Sequence, residues 1–330
     1  MDFRKILFRA KQFGGARLAM AYFKLGVGHV VIWNVLLLLL GFKSRDEAYA
    51  AISRAANKIL QTRYRSFILE KKCYYDSIPL EQTRSKKVWT SWLQGFDNAP
   101  VLVKRCAESM KKFLTDRDVL FLSLDDFDKY VKLPEDIVKK FKEGKIPPAL
   151  FSDLLRLKLL IEHGGTWMDA TILCTSGGTK YPTEILDCNL FVYQVVVPGN
   201  NEFKGIKGIS NWFLTSCRNN RILLILFDLL IQYWRDYDCT LDYYIFHDFF
   251  CTIAAYYPEE IAAMPSKDRL VPLELMNRMG DKYDAVWMKE LTDRTCFHKL
   301  NYRISEKVQN DKANFYNAVI EAQFLYNPMK

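Results

Sequence analysis

The sequence predicts an α/β fold with a parallel sheet, preceded by a basic helical head, and three observations carry that reading. Strand-like and helix-like segments alternate at short spacing after about residue 85, the pattern of a parallel sheet with crossover helices. A helical segment runs into Gly164-Gly165 and is followed directly by an apolar strand pattern. The positive charge is confined to one end of the chain. Residues 1–72 hold 14 Lys and Arg against 4 Asp and Glu, and the remainder holds 33 against 34.

The head comes first. Residues 1–25 interleave Arg4, Lys5, Arg9, Lys11, Arg17 and Lys24 with Phe, Leu, Met and Tyr. Leu25 to Phe42 is then apolar apart from His29 and Asn34, and Lys43-Ser44-Arg45-Asp46 follows with no small-residue cleavage site. The run is short for a membrane span of about 20 residues, and cations flank both its ends. An in-plane helix on a membrane surface, a span and ordinary soluble packing remain open, with surface attachment the leading expectation. Residues 46–70 show apolar positions at three- and four-residue spacing, which predicts one helix. Thr83 to Lys87 is a polar hinge, so the expected division is a helical, basic region over 1–84 and a catalytic-type domain over 85–330.

Within that second region, Lys87 to Leu93 is strand-like, Pro100 to Phe113 an amphipathic helix, Val119 to Leu122 a strand and Glu135 to Lys142 a helix. Ligands of parallel α/β sheets bind beyond the carboxyl ends of the strands, which puts Trp92, Gln94 and Gly95 at a crevice. Ala149 to His163 is helical, and Thr166 to Thr175 reads as one strand. A glycine-rich turn follows 175, then a strand over Leu190 to Val197 and a Gly- and Asn-rich loop. Ile222 to Tyr233 and Tyr243 to Ala255 are helical.

Half of the residues are hydrophobic, which excludes disorder as the main state. The eight cysteines, at 73, 106, 174, 188, 217, 239, 251 and 296, contain no C-x-x-C pair. They read as reduced thiols of a cytosolic compartment, not as a zinc knuckle or redox pair. No P-loop, dinucleotide, zincin or hydrolase-elbow motif occurs. The near-neutral second region argues against nucleic-acid binding.

The chemistry-bearing residues cluster between 152 and 175. Asp153 and Arg156 are three apart and share a helix face. Asp169 stands on an otherwise apolar strand, where an unpaired carboxylate would be costly. A glycine corner can bring the three together. Transfer of a sugar from a nucleotide donor needs a neutralised diphosphate, by a divalent metal, a cationic side chain or both, and an acceptor that fixes the sugar.

FSDLLRLKLLIEHGGTWMDATILCT (151–175) resembles the DXD-type glycosyltransferases, in particular the capsular-polysaccharide-synthesis branch and its sugar-binding-region relatives. Ser152, Asp153, Arg156, Gly164, Gly165, Trp167 and Asp169 fall in the matching places. VWTSWLQGFDNAPVLVKRCAESMKKF (88–113), ISNWFLTSCRNNRILL (209–224), DYYIFHDFF (242–250) and HKLNYR (298–303) are similar to other blocks of that family.

The resemblance implies a GT-A-like (Rossmann-like) nucleotide-sugar domain acting on a UDP-sugar or a related donor, often with Mn²⁺ or Mg²⁺. The acceptor implied is a growing surface glycan, lipid-linked at the cytoplasmic face of the membrane. One departure stands out: the D-x-D is Asp169-Ala170-Thr171, so the second carboxylate is replaced by Thr171. A hard cation prefers carboxylates. It would have to rest on Asp169 with His298 as a further ligand, or yield its role to cationic side chains.

His247 and Asp248 are candidates to orient the acceptor or act as base. Lys299 is a candidate phosphate contact, and Trp92 is the better of Trp89 and Trp92 for stacking a base. The competing reading is a non-catalytic sugar-nucleotide or glycan-binding assembly protein with a degenerate motif.

Overall fold

The computed structural model describes residues 15–175, 182–194 and 208–321. Within them the chain runs α1 (Gly15–Leu25), α2 (Gly28–Leu39), α3 (Arg45–Ser77), β1 (Lys87–Ser91), α4 (Val101–Phe113) and β2 (Asp118–Leu122). It continues through α5 (Glu135–Lys142), α6 (Pro148–His163), β3 (Gly165–Met168), β4 (Ile172–Cys174), β5 (Leu190–Gln194) and β6 (Ile209–Ser216). Then come α7 (Arg221–Asp236), α8 (Ile245–Ala254), α9 (Ala285–Arg294) and β7 (Phe297–Lys299), with shorter helical segments between them and after β7. The expected glycine-rich turn after 175, the end of the strand at 195–197 and the cations at 4, 5, 9 and 11 lie outside the described residues.

Two compact units result. The first comprises the described part of Met1–Leu80 with Leu133–Leu157 and Arg221–Tyr257. It is helical. Ser44 starts α3 with a capping box, its hydroxyl accepting from the Glu47 amide while the Glu47 carboxylate accepts from the Ser44 amide. That helix extends to Ser77, beyond the expected 46–70. It buries Ala56, Leu60, Tyr64 and Ile68, a spacing of four that keeps one stripe on the core. Two hydrogen bonds and a ring stack lock the unit. The Tyr64 hydroxyl donates to Asp236 at 2.7 Å, the Tyr22 hydroxyl donates to the Leu241 carbonyl at 2.8 Å, and Phe141 stacks on Phe151 at 4.0 Å.

The second unit, Glu81–Lys132, Lys158–Asn220 and Pro258–Lys330, holds the sheet. Its strand order is β2-β1-β3-β6-β5, with β1 parallel to both β2 and β3, and β6 antiparallel to β3 and β5. Four of the five strands therefore point one way, and the fold is mixed α/β with a mainly parallel central sheet. The β1–α4–β2 crossover forms because α4 buries Leu102, Val103, Cys106, Ala107 and Met110 along one stripe. Lys111 and Lys112 close its last turn, where the helix dipole favours cations.

The strand expected over 166–175 is in fact two. β3 ends at Met168, a turn closes with the Ile172 amide donating to the Asp169 carbonyl at 2.9 Å, and β4 pairs with β7 in a separate two-stranded sheet. The run is apolar on both sides of the turn because both halves are buried, and a continuous apolar pattern cannot show the break.

The double glycine has a specific cause. Gly165 has φ +99° at the start of β3, and a Cβ there would lie 2.2 Å from the Lys87 carbonyl oxygen on β1. Only a residue without a side chain fits both conditions. Gly165→Ala is therefore expected to destabilise the protein by about 3 kcal/mol or more, because backbone must move. Gly144→Ala, at φ +70° in open space, should cost only about 1 kcal/mol. Urea midpoints of the two variants measure the difference.

Candidate active site

β1, β2 and β3 run parallel, so their carboxyl ends open on one edge of the sheet. Trp92 follows β1, held by its amide donating to the Leu122 carbonyl at 3.0 Å, and Gln94 and Gly95 form the turn beyond it. Asp169 follows β3, its amide donating to the Trp212 carbonyl at 2.9 Å. Trp92 and Phe96 pack on a small cluster of Ala99, Val103 and Ala170, which brings the two strand ends together.

Trp167 and Asp169 are two apart and share a face. The Trp167 indole N–H donates to Asp169 Oδ1 at 2.9 Å, and Lys299 Nζ lies 3.2 Å from Asp169 Oδ2. Each carboxylate oxygen thus has a donor. Lys299 also donates to the Thr171 hydroxyl at 2.5 Å, and the Leu300 amide donates to the Thr171 carbonyl at 2.9 Å. The Asp169 side chain keeps 27% of its surface and Lys299 keeps 20%, so a ligand can reach both. Tyr302, three residues on, meets the Trp92 ring edge-on at 5.1 Å between centroids. Tyr302 carried no separate signal in the sequence, because its place depends on where β7 returns to the sheet.

Lys299, and not His298, is the residue of β7 that reaches Asp169. Neighbouring residues of a strand face opposite ways. His298 is fully buried on the other side, its Nε2 sharing a 3.0 Å hydrogen bond with the Thr175 hydroxyl. Burial pushes its pKa down to about 3, so the imidazole stays neutral.

Trp89 is buried in the sheet and its indole donates to the Gly164 carbonyl at 3.0 Å, which makes it a core residue. A second polar recess of this unit is lined by Glu184, Tyr193, Lys267, Asp268 and Arg294 among others, and contains none of the expected site residues.

Ser152, Asp153, Arg156, His247 and Asp248 belong to the helical unit. Asp153 and Arg156 form an ion pair at 3.2 Å with side chains only 8% and 5% exposed. The guanidinium also lies 5.9 Å from the Phe246 ring centroid. Such burial makes removal of either partner costly, since the remaining charge would be stranded.

Asp248 is not alone. Asn57 donates to Asp248 at 2.5 Å and to Asp242 at 2.8 Å, while Ser53 also donates to Asp242. Burial first, and then the neighbouring Asp242 charge, push the Asp248 carboxyl up to about 6. Burial likewise raises Asp242 above the usual carboxylate range, against the Tyr244 amide and Asn57 hydrogen bonds.

A family model for "Capsular polysaccharide synthesis protein" matches residues 38–319. No curated protein matches the chain. A solved structure, "PaToxG Glycosyltransferase", aligns with 81% of this chain and 97% of its own at 14% identity and a TM-score of 0.38.

The raised Asp248 pKa has a definite sign for stability. The folded state holds the proton more tightly than the unfolded chain, so this stabilisation is full below about pH 4 and is lost as pH rises through about 6. Asp248→Asn should therefore match the wild type near pH 4 and exceed its stability at pH 7. Chemical denaturation at a series of pH values should show the two curves separating between those limits.

Proposed function

Because the chain belongs to the capsular polysaccharide synthesis protein family, we propose that it is a glycosyltransferase that moves a sugar from a nucleotide donor to a growing surface glycan. Its donor crevice is the GT-A type, at the carboxyl ends of β1 and β3. The observation that carries this reading is the Asp169 carboxylate, held by Trp167 and Lys299 at the strand ends and still open to a ligand. A UDP-sugar is the favoured donor, and the acceptor is a lipid-linked glycan at the cytoplasmic face.

In the proposed reaction the bond from the anomeric carbon to the donor phosphate breaks and one to an acceptor hydroxyl forms. The acceptor proton is released, and the nucleoside diphosphate leaves with the electron pair. Asp169 accepts hydrogen bonds from sugar hydroxyls and fixes the ring. Trp92, braced by Tyr302, offers an aromatic face to the base. Lys299 supplies positive charge for the diphosphate, the electrostatic requirement of this chemistry.

A divalent cation bound here would have one carboxylate and the donor's own phosphates for ligands. Asp169 is the one carboxylate of the motif, and Lys299 holds both it and the Thr171 hydroxyl. Among the described residues no group of three or more His, Cys, Asp or Glu could hold a metal ion. In this proposal Lys299, and not Mn²⁺ or Mg²⁺, supplies the positive charge, and no step is assigned to either cation.

Nucleotide release from UDP-, GDP- and CMP-sugars, with Mn²⁺ and with EDTA, tests the proposal. One donor should be turned over, and most of the rate should persist in EDTA. Asp169→Ala should lower the rate by about 100-fold, the loss expected of a group positioned on the reacting sugar. Lys299→Met should lower kcat by about tenfold or more, while Trp92→Ala should chiefly raise KM. Donor binding by calorimetry with no release, even when a lipid-linked acceptor extract is supplied, would favour a sugar-nucleotide-binding assembly protein.

A further inference from the structure

The first described helices expose apolar side chains. α2 (GHVVIWNVLLLL) holds one amide, Asn34, and buries it to 4% exposure. The Asn34 side chain donates to the Val30 carbonyl at 2.9 Å and accepts from Lys43 Nζ at 2.7 Å. Meanwhile Ile32, Trp33, Leu36, Leu40 and Phe42 stand 43–75% exposed. A water-facing helix shows the opposite arrangement. Nine of the twenty exposed large hydrophobic side chains among the described residues fall between Met20 and Phe42. That concentration forms a patch, in contrast to the scattered apolar residues of an ordinary surface.

We propose that this face lies in the interface of an anionic lipid bilayer, with α2 in the membrane plane. Charge identifies the occupant. Arg17, Lys24, Lys43 and Arg45 flank the apolar face, and the first acidic residues after it, Asp46 and Glu47, come beyond Arg45. Anionic headgroups complement that edge while acyl chains take the leucines. Trp33, 58% exposed, is of the residue type that favours the headgroup boundary. Geometry excludes a crossing. The apolar run from Leu25 to Phe42 breaks at Gly26-Val27, leaving a 12-residue helix about 18 Å long against a hydrocarbon core of about 30 Å. No described helix is long and apolar enough to cross a membrane.

The test uses the full chain with vesicles of phosphatidylcholine alone and of phosphatidylcholine with about a third phosphatidylglycerol. The protein should sediment with the anionic vesicles, more weakly at high salt, and its tryptophan emission should be quenched by brominated lipid. The double variant Ile32→Glu/Leu36→Glu should bind about tenfold more weakly or worse. Its circular dichroism and melting temperature should match the wild type, since both side chains are exposed. Failure of the wild type to sediment with anionic vesicles, or equal sedimentation of the variant, overturns the proposal. If a wild-type dimer seen by ultracentrifugation is dissolved by the variant while vesicles bind neither form, the face is instead a contact between copies of the chain.

Discussion

The approach of Gly165 to the Lys87 carbonyl sets the position of everything at the candidate site. With no Cβ between them, β3 can begin directly after helix α6 and lie parallel to β1. The Trp89 indole, bonded to the Gly164 carbonyl from within the sheet, holds the same corner from the other side. Once β1 and β3 share a direction, their carboxyl ends must coincide. Trp92 and Asp169 then lie at the same edge of the sheet.

Charge balance governs what that crevice can do. A turn that carries two carboxylates invites a cation from solution, whereas Asp169-Ala170-Thr171 carries one and meets a lysine built into the protein. The two arrangements bring positive charge to the same place by different means. In the proposed reaction Lys299, a compact point charge on a flexible stem, would turn from Asp169 toward a donor phosphate. The indole of Trp167 would keep the carboxylate in place during that exchange, because it holds the other oxygen.

The helical unit shows the complementary problem of polar groups kept away from water. Asp153 and Arg156 pair at low exposure, and Asn57 joins the two carboxyls of Asp242 and Asp248 by donating to both. The raised proton affinity of Asp248 follows first from its burial and then from the Asp242 charge beside it. In α2 the arrangement is reversed, since Asn34 is enclosed while Ile32, Trp33 and Leu36 are left outside.

Local patterns were legible in the residues themselves. The helix before Gly164-Gly165, the helix that begins near Asp46 and the basic apolar head all follow from short-range backbone and burial preferences. The tertiary structure decided the rest. It broke one apolar strand into β3 and β4, because two buried halves look continuous in sequence. It brought Lys299 rather than His298 to Asp169, because the register of β7 on β4 selects which of two neighbours faces the site. It also assembled the helical unit from three distant segments and chose which side of α2 faces outward. Each of these rests on contacts between residues far apart in the chain, and such contacts leave no periodic signal along it.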